Sequence, residues 1–209
     1  MPPILSPHRV LIGITGASGA VYAQRLIEAL CARPGLEVLV TATDAGRRVV
    51  REELGIDVAS DDGHFGRWIR VPVGAESAGA KACLPPRLLP VTDIGAGPAS
   101  GSYALDAVAI VPCSMRTLAA VAAGLADNLL TRAADVALKE GRRLVLAPRE
   151  MPLSALHLEN MLRLARLGAR IVPPMPGFYR HPRTIEDLVA FVVERLVDQM
   201  GVGEGKGEG

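Results

Sequence analysis

The segment RVLIGITGASGA, residues 9 to 20, constrains the fold of this chain more than any other. A β-branched and aliphatic run ends at Thr15. Gly16, Ala17, Ser18 and Gly19 follow, and a stretch of helical periodicity begins at once. Such a strand–turn–helix unit belongs at the carboxyl edge of a parallel sheet, where backbone N–H groups and a hydroxyl face anions and cofactors. Gly16 and Gly19 let the backbone pass close to a ligand, and Ser18 adds a donor and an acceptor. The glycines run Gly13, Gly16, Gly19, which is not the dinucleotide spacing, and the turn carries no phosphate-loop lysine. It reads either as a site for a nucleotide-like cofactor or as a bare connection.

The rest of the chain repeats this alternation. Strands are expected at about 9–15, 36–43, 105–114, 143–150 and 169–173. Helices are expected at about 19–32, 45–54, 115–123, 127–140, 154–167 and 184–200, with Gly55 ending the second. Between 56 and 103 the pattern weakens: IRVPV at 69–73 is a candidate strand, while PPRLLP and DIGAGPASGS read as loops. Several strands are continuous apolar runs separated by helices, the mark of a parallel sheet covered on both faces. Right-handed crossovers then gather Thr15–Gly19, Thr43–Asp44, Pro112–Thr117 and Pro148–Met151 around one crevice. Residues 1–200 make one domain, and the tail at 201–209, GVGEGKGEG, lacks apolar residues and is expected to be disordered.

Composition removes several function classes. A net charge of +1 and 3% aromatic residues give no footprint for nucleic acid. No run of 18 apolar residues and no signal peptide is present, so a cytoplasmic protein without a membrane span is expected. Cys31, Cys83 and Cys113 have no metal-ligand spacing, and neither do His64, His157 and His181. No metal is assigned.

Several polar residues could carry chemistry. Ser114 and Thr117 lie where a helix begins, as caps or as part of a cofactor loop. Arg132 and Lys139 are seven apart on one helix face, with Asp135 placed to pair with both. They form a solvated face or a cationic surface for a phosphate. Arg149 and Glu150 follow a buried strand, where an arginine can bind phosphate and a glutamate can move a proton. Tyr179 lies in a proline-rich loop whose ordinary reading is a packed lid. His157 reads as a packed helix residue, Cys113 as a small buried one, and Met151, Met161 and Met175 as core.

Three segments, GITGASGAVYAQRL at 13–26, the block from PCSMRT to LAPRE at 112–150, and HLENMLRLARLGARIVPPMPGFY at 157–179, closely resemble the flavin prenyltransferase (UbiX-type) family. EDLVAFVVERLV at 186–197 is similar to its last helix. The resemblance implies a flavodoxin-like, doubly wound α/β sheet and a homododecamer. It implies prenyl transfer from dimethylallyl phosphate to N5 of reduced FMN, with ring closure at C6. The prenylated FMN would go to a UbiD-type decarboxylase, with no metal required. By the same resemblance Gly16, Ala17 and Ser18 touch FMN, with Ser18 near N5. Thr43 replaces a common serine, Ser114, Met115, Arg116 and Thr117 form a second flavin loop, and Arg132 also contacts FMN. Glu53 faces the prenyl phosphate pocket from a neighbouring subunit. Ser100 lies near that pocket, and Lys139, Arg149, Tyr179 and Arg195 hold the phosphate. Glu150 transfers the proton. Ile94 stands where some members have a tryptophan beside the prenyl pocket, which bears on the choice between prenyl monophosphate and diphosphate.

Two other readings share the fold. A peptidyl-cysteine or phosphopantothenoylcysteine decarboxylase generally carries a histidine near the first crossover and a late PxMN segment; this chain has no histidine at 19–32 and reads PREMP. A non-catalytic flavin-binding protein needs only the flavin loops, and would leave Lys139, Arg149, Glu150, Tyr179 and Arg195 without a purpose.

Overall fold

Val10, Leu11, Ile12 and Ile14 of the first strand are all fully buried, on both faces of the sheet. In the computed structural model, which describes residues 8–56 and 85–202, this strand is β1 (His8–Ile14). It is followed by α1 (Ala20–Cys31), β2 (Leu36–Ala42), α2 (Asp44–Leu54), β3 (Arg87–Leu88), β4 (Ala107–Cys113) and α3 (Met115–Ala122). Then come α4 (Leu129–Lys139), β5 (Arg143–Pro148), α5 (Ala155–Arg166), β6 (Arg170–Ile171) and α6 (Ile185–Met200). Short 3-10 turns lie at Gly97–Ala99 and Phe178–Arg180.

All strand pairs are parallel, in the order β3-β2-β1-β4-β5-β6. Without the two-residue β3 this is the flavodoxin-like order, so the expected doubly wound fold is the one observed. Val10, Ile12 and Ile14 pack under α1 and α6, while Leu11 packs under α3 and α4 on the other face. Truncating such a side chain to alanine costs about 2–5 kcal/mol. Gly13 is dictated by packing: a Cβ there would lie 2.1 Å from Leu130 Cδ1 of α4. The winding reverses between β1 and β4, and the loops leaving their carboxyl ends open the crevice where ligands of such sheets bind.

Three expectations change. PPRLLP holds β3, because Leu88 and Leu89 are buried and Leu89 N–H donates to Val40 O at 2.7 Å. Met151 and Met175 are 87% and 70% exposed, not core, because they sit on loops outside the sheet's carboxyl edge. Of the three methionines expected as core, only Met161 packs against it, and partly. The candidate strand at 69–73, with His64 and Cys83, lies outside the described residues, as does the tail beyond 202. Among the described residues, no helix is long and apolar enough to cross a membrane.

Candidate active site

The four expected segments do meet at the carboxyl edge. Thr15, fully buried, donates from Oγ1 to Pro112 O at 2.7 Å and accepts from Ser114 N–H at 2.7 Å. One hydroxyl thus joins the loops after β1 and β4. Thr43 N–H donates to Ile14 O at 3.0 Å, bringing the start of α2 to the same place. Gly46 seals that junction, since a Cβ there would lie 2.4 Å from Ile14 O. Arg149 closes the circle: its N–H donates to Cys113 O at 3.3 Å and its Nε to Ser18 O at 3.2 Å.

Local chemistry positions each loop. Ser114 caps α3, accepting from Thr117 N–H at 3.3 Å, and its own hydroxyl donates to Thr117 Oγ1 at 3.1 Å. Met115 and Arg116 occupy the first turn of α3, where backbone N–H groups have no carbonyl partner within the helix. Thr43 caps α2 by accepting from Gly46 N–H at 3.0 Å. Within the crevice Ala17 and Thr117 are buried, while Gly16, Ser18 and Arg116 are exposed.

Glu53, expected to face the prenyl phosphate pocket from a neighbouring subunit, lies against the first loop of its own chain. Its carboxylate accepts from Gly19 N–H at 3.0 Å and from Ala20 N–H at 2.8 Å, at the amino end of α1. Burial pushes its pKa up, but the Ser18 hydroxyl, the two amides and the nearby Arg149 outweigh that and hold it below the ordinary carboxylate range. The chain therefore spends the amide donors of α1 on its own glutamate. An incoming anion meets those of α3 instead. Glu53 and Ser18 act as one unit within a single chain, a pairing across 35 residues of sequence that carries no local signal.

The other expected residues fall into two further places. Arg132 Nε donates to Ala99 O at 3.2 Å and its NH1 pairs with Asp135 at 3.2 Å. Lys139 pairs with Glu140 at 3.6 Å, not with Asp135, because the Gly101 turn packs on the end of α4 there. Arg142 grips that turn, donating to Tyr103 O at 2.7 Å and Gly101 O at 2.5 Å, so Gly101, next to Ser100 in sequence, is held beside Lys139. Tyr179 and Arg195 lie elsewhere, both against Phe191. Tyr179 is 67% exposed and no lid. Among the described residues, no hydrogen bond or ion pair joins Lys139 to Tyr179 or Arg195, or Arg132 to the loops after β1 and β4.

Glu150 is exposed and accepts from Met151 N–H at 3.0 Å. His157 is a capping residue: its ring accepts from Ser154 N–H at 3.3 Å. Cys113 is inert, its thiol pushed up to about 12 by burial. A cavity of about 890 Å³ opens at the opposite edge of the sheet, among Arg33, Asp106, Arg142 and Arg143. Helix carboxyl ends surround it, and Arg143 donates to Met200 O at 3.2 Å. Arg143 thereby caps α6, Arg142 is engaged by the 101–103 turn, and the negative helix ends disfavour an anion there.

Comparison with known proteins decides the family. The Flavoprotein family model matches residues 4–197. The flavin prenyltransferase UbiX of Halalkalibacterium halodurans is 45% identical over 191 residues, 91% of this chain and 87% of that protein. The chain belongs to the flavin prenyltransferases. Among solved structures, AnUbiX in complex with FMN and dimethylallyl pyrophosphate is 32% identical with a TM-score of 0.79, covering 98% of this chain and 100% of that one. The dodecameric FMN-dependent Ubix-like decarboxylase of Escherichia coli O157:H7 is 39% identical with a TM-score of 0.78, covering 96% of this chain and 99% of that one. This flavin prenyltransferase thus matches its relatives over nearly their whole length. The donor set suits FMN: α3 offers unpaired amides, and hydroxyls stand at Ser18, Thr43 and Ser114.

Proposed function

We propose that this flavin prenyltransferase moves the dimethylallyl group of dimethylallyl phosphate to N5 of reduced FMN and closes a ring at C6. The prenylated FMN is destined for a UbiD-type decarboxylase. The observation that carries this reading is the contact of Arg149 Nε with Ser18 O at 3.2 Å. It supports the reading because an arginine suited to bind phosphate stands directly against the loop proposed to hold the flavin.

Gly16, Ala17, Ser18 and Thr43 hold the flavin on one side of the crevice, and Ser114, Met115, Arg116 and Thr117 on the other. Arg132 reaches it from α4. When bound, reduced FMN supplies the nucleophilic ring positions. The chain's own residues do the rest. Lys139, Arg149 and Arg195 stabilise the negative charge that builds on the phosphate as the allylic C–O bond breaks, and Tyr179 donates a hydrogen bond to it. Ser100 lines the same pocket. Glu150 protonates the departing phosphate oxygen, and as a carboxylate it then accepts the ring proton. Glu53 fixes the Ser18 hydroxyl beside N5. Positioning and electrostatics suffice, and no metal is invoked.

Lys139 with Ser100, and Tyr179 with Arg195, stand at separate places in one chain, so a single phosphate pocket is completed between copies. The surface agrees. α5 buries only Leu164 and leaves Leu156 and Leu162 63% and 51% exposed. Exposed apolar side chains on one helix mark an interface. The assembly is a homo-oligomer, a dodecamer as in the Escherichia coli relative, and the protein works in the cytoplasm.

The test is anaerobic incubation with reduced FMN and dimethylallyl phosphate. Mass spectrometry is expected to show FMN heavier by one C5 prenyl unit. Unchanged FMN at complete saturation with both compounds overturns the reading.

A further inference from the structure

Phe191 lies one helical turn before Arg195 on α6 and is half-buried against the core under α1 and α6. The outer side of its ring is covered by polar groups. Tyr179 meets it edge-on, with ring centroids 5.7 Å apart and planes at 84°. The Arg195 guanidinium stands 5.7 Å from the ring centroid and that of Arg180 stands 5.2 Å away. Arg180 is also bonded to Glu194 and to the Tyr179 side chain. Gly177 makes the stack possible: a Cβ there would lie 2.7 Å from Tyr179 Cε1 and 2.9 Å from Phe191 Cζ.

We infer that Phe191 is a positioning residue that fixes Tyr179 and Arg195 together and so builds the prenyl-donor phosphate site. The inference rests on the reading above that those two residues hold that phosphate. Both are exposed, and each has several rotamers to lose on binding. The aromatic ring offers Tyr179 an edge-to-face contact and Arg195 a cation–π contact, which preorganise them before the donor arrives. A leucine fills the same core space without the ring quadrupole, so packing and positioning can be separated.

Four variants of the FMN-loaded protein test this: Phe191→Leu, Gly177→Ala, Tyr179→Phe and Arg195→Ala. Dimethylallyl phosphate binding is measured directly by calorimetry, FMN affinity by fluorescence, and folding by thermal melting. Phe191→Leu and Gly177→Ala are expected to weaken donor binding about 5- to 10-fold, the size of one or two aromatic contacts. FMN affinity and the rate at saturating donor are expected to stay within about twofold, because neither residue touches the flavin loops. Phe191→Leu added to Arg195→Ala should weaken binding further by less than it does alone, as expected of a residue acting through Arg195. If Tyr179→Phe and Arg195→Ala leave donor binding unchanged, the phosphate assignment itself fails, and the role of Phe191 with it. If those two weaken binding while folded Phe191→Leu and Gly177→Ala bind the donor normally, only the positioning role fails. Should Phe191→Leu not fold, Gly177→Ala alone decides, and normal donor binding by it overturns the inference.

Discussion

Thr15 and Ser114, 99 residues apart, share one hydrogen bond of 2.7 Å that ties together the two loops after β1 and β4. The Thr15 hydroxyl has no exposure to solvent, and it also donates to Pro112 O. Thr15→Val keeps the shape and removes both bonds, leaving the buried Pro112 carbonyl and the part-buried Ser114 N–H without this partner. Urea denaturation is expected to show a loss of about 1–3 kcal/mol per unsatisfied group, and FMN titration a weaker complex. Thr15→Ser, which keeps the hydroxyl, is expected to restore most of both. Wild-type FMN affinity in Thr15→Val would mean the tie does not shape the crevice.

Glu53 gives the pH dependence. Its pKa is lower in the folded chain than in the unfolded one, against the opposing effect of burial. Its contribution is therefore complete above the ordinary carboxylate pKa of about 4.3 and is lost as pH falls through the lower folded value. Glu53→Gln keeps an acceptor for Gly19 and Ala20 but loses the charge beside Arg149. Melting temperatures from pH 7 down to pH 3 should show the wild type ahead at neutral pH and the gap closing in acid. A gap that widens in acid has the wrong sign and defeats the assignment.

Glu150 is expected to move a proton and to contribute little to flavin binding. Glu150→Gln should slow single-turnover product formation by roughly 10²-fold or more, the usual range for general acid–base catalysis. FMN affinity should stay near wild type. A wild-type turnover rate would remove Glu150 from the chemistry.

The exposed leucines of α5 predict the response of the assembly. Leu156→Glu with Leu162→Glu places two charges among the exposed apolar side chains of this helix. Light scattering after size exclusion is expected to show smaller species. On the proposal that the phosphate pocket is completed between copies, prenyl transfer should fall while far-UV dichroism stays native. An unchanged mass would move the interface to another face.

Arg142 holds the Gly101 turn beside Lys139 through two backbone carbonyls. Arg142→Met should raise the half-saturating dimethylallyl phosphate concentration by about tenfold, as expected when hydrogen bonds from a charged donor are lost. FMN titration should be unaffected. An unchanged donor dependence would show that the turn keeps its place without this grip.

The fold and the crevice were legible because they rest on local rules. Continuous apolar runs at 9–15, 105–114 and 143–150 require a sheet buried on both faces, and parallel crossovers send their following loops to one edge. Ser114 announced itself as a cap from its position before a helix. The residues that resemble flavin prenyltransferases were readable for the same reason: they lie in contiguous segments.

What only the tertiary structure decided depends on distance in sequence. Glu53 reaches the amino end of α1 from the far end of α2 and takes donors that the first loop alone seemed to offer a ligand. Lys139 turned to Glu140 because a turn from residues 97–103 packs there, which helix spacing could not foresee. Met151 and Met175 looked like core by composition, yet the sheet they follow is already covered by other helices. The stack of Tyr179 and Arg195 on Phe191 joins a proline-rich loop to a helix face, and no period within either segment encodes that contact. Hydrophobic periodicity determines which side chains are buried; which polar side chains meet at the edge is settled only when distant segments are brought together.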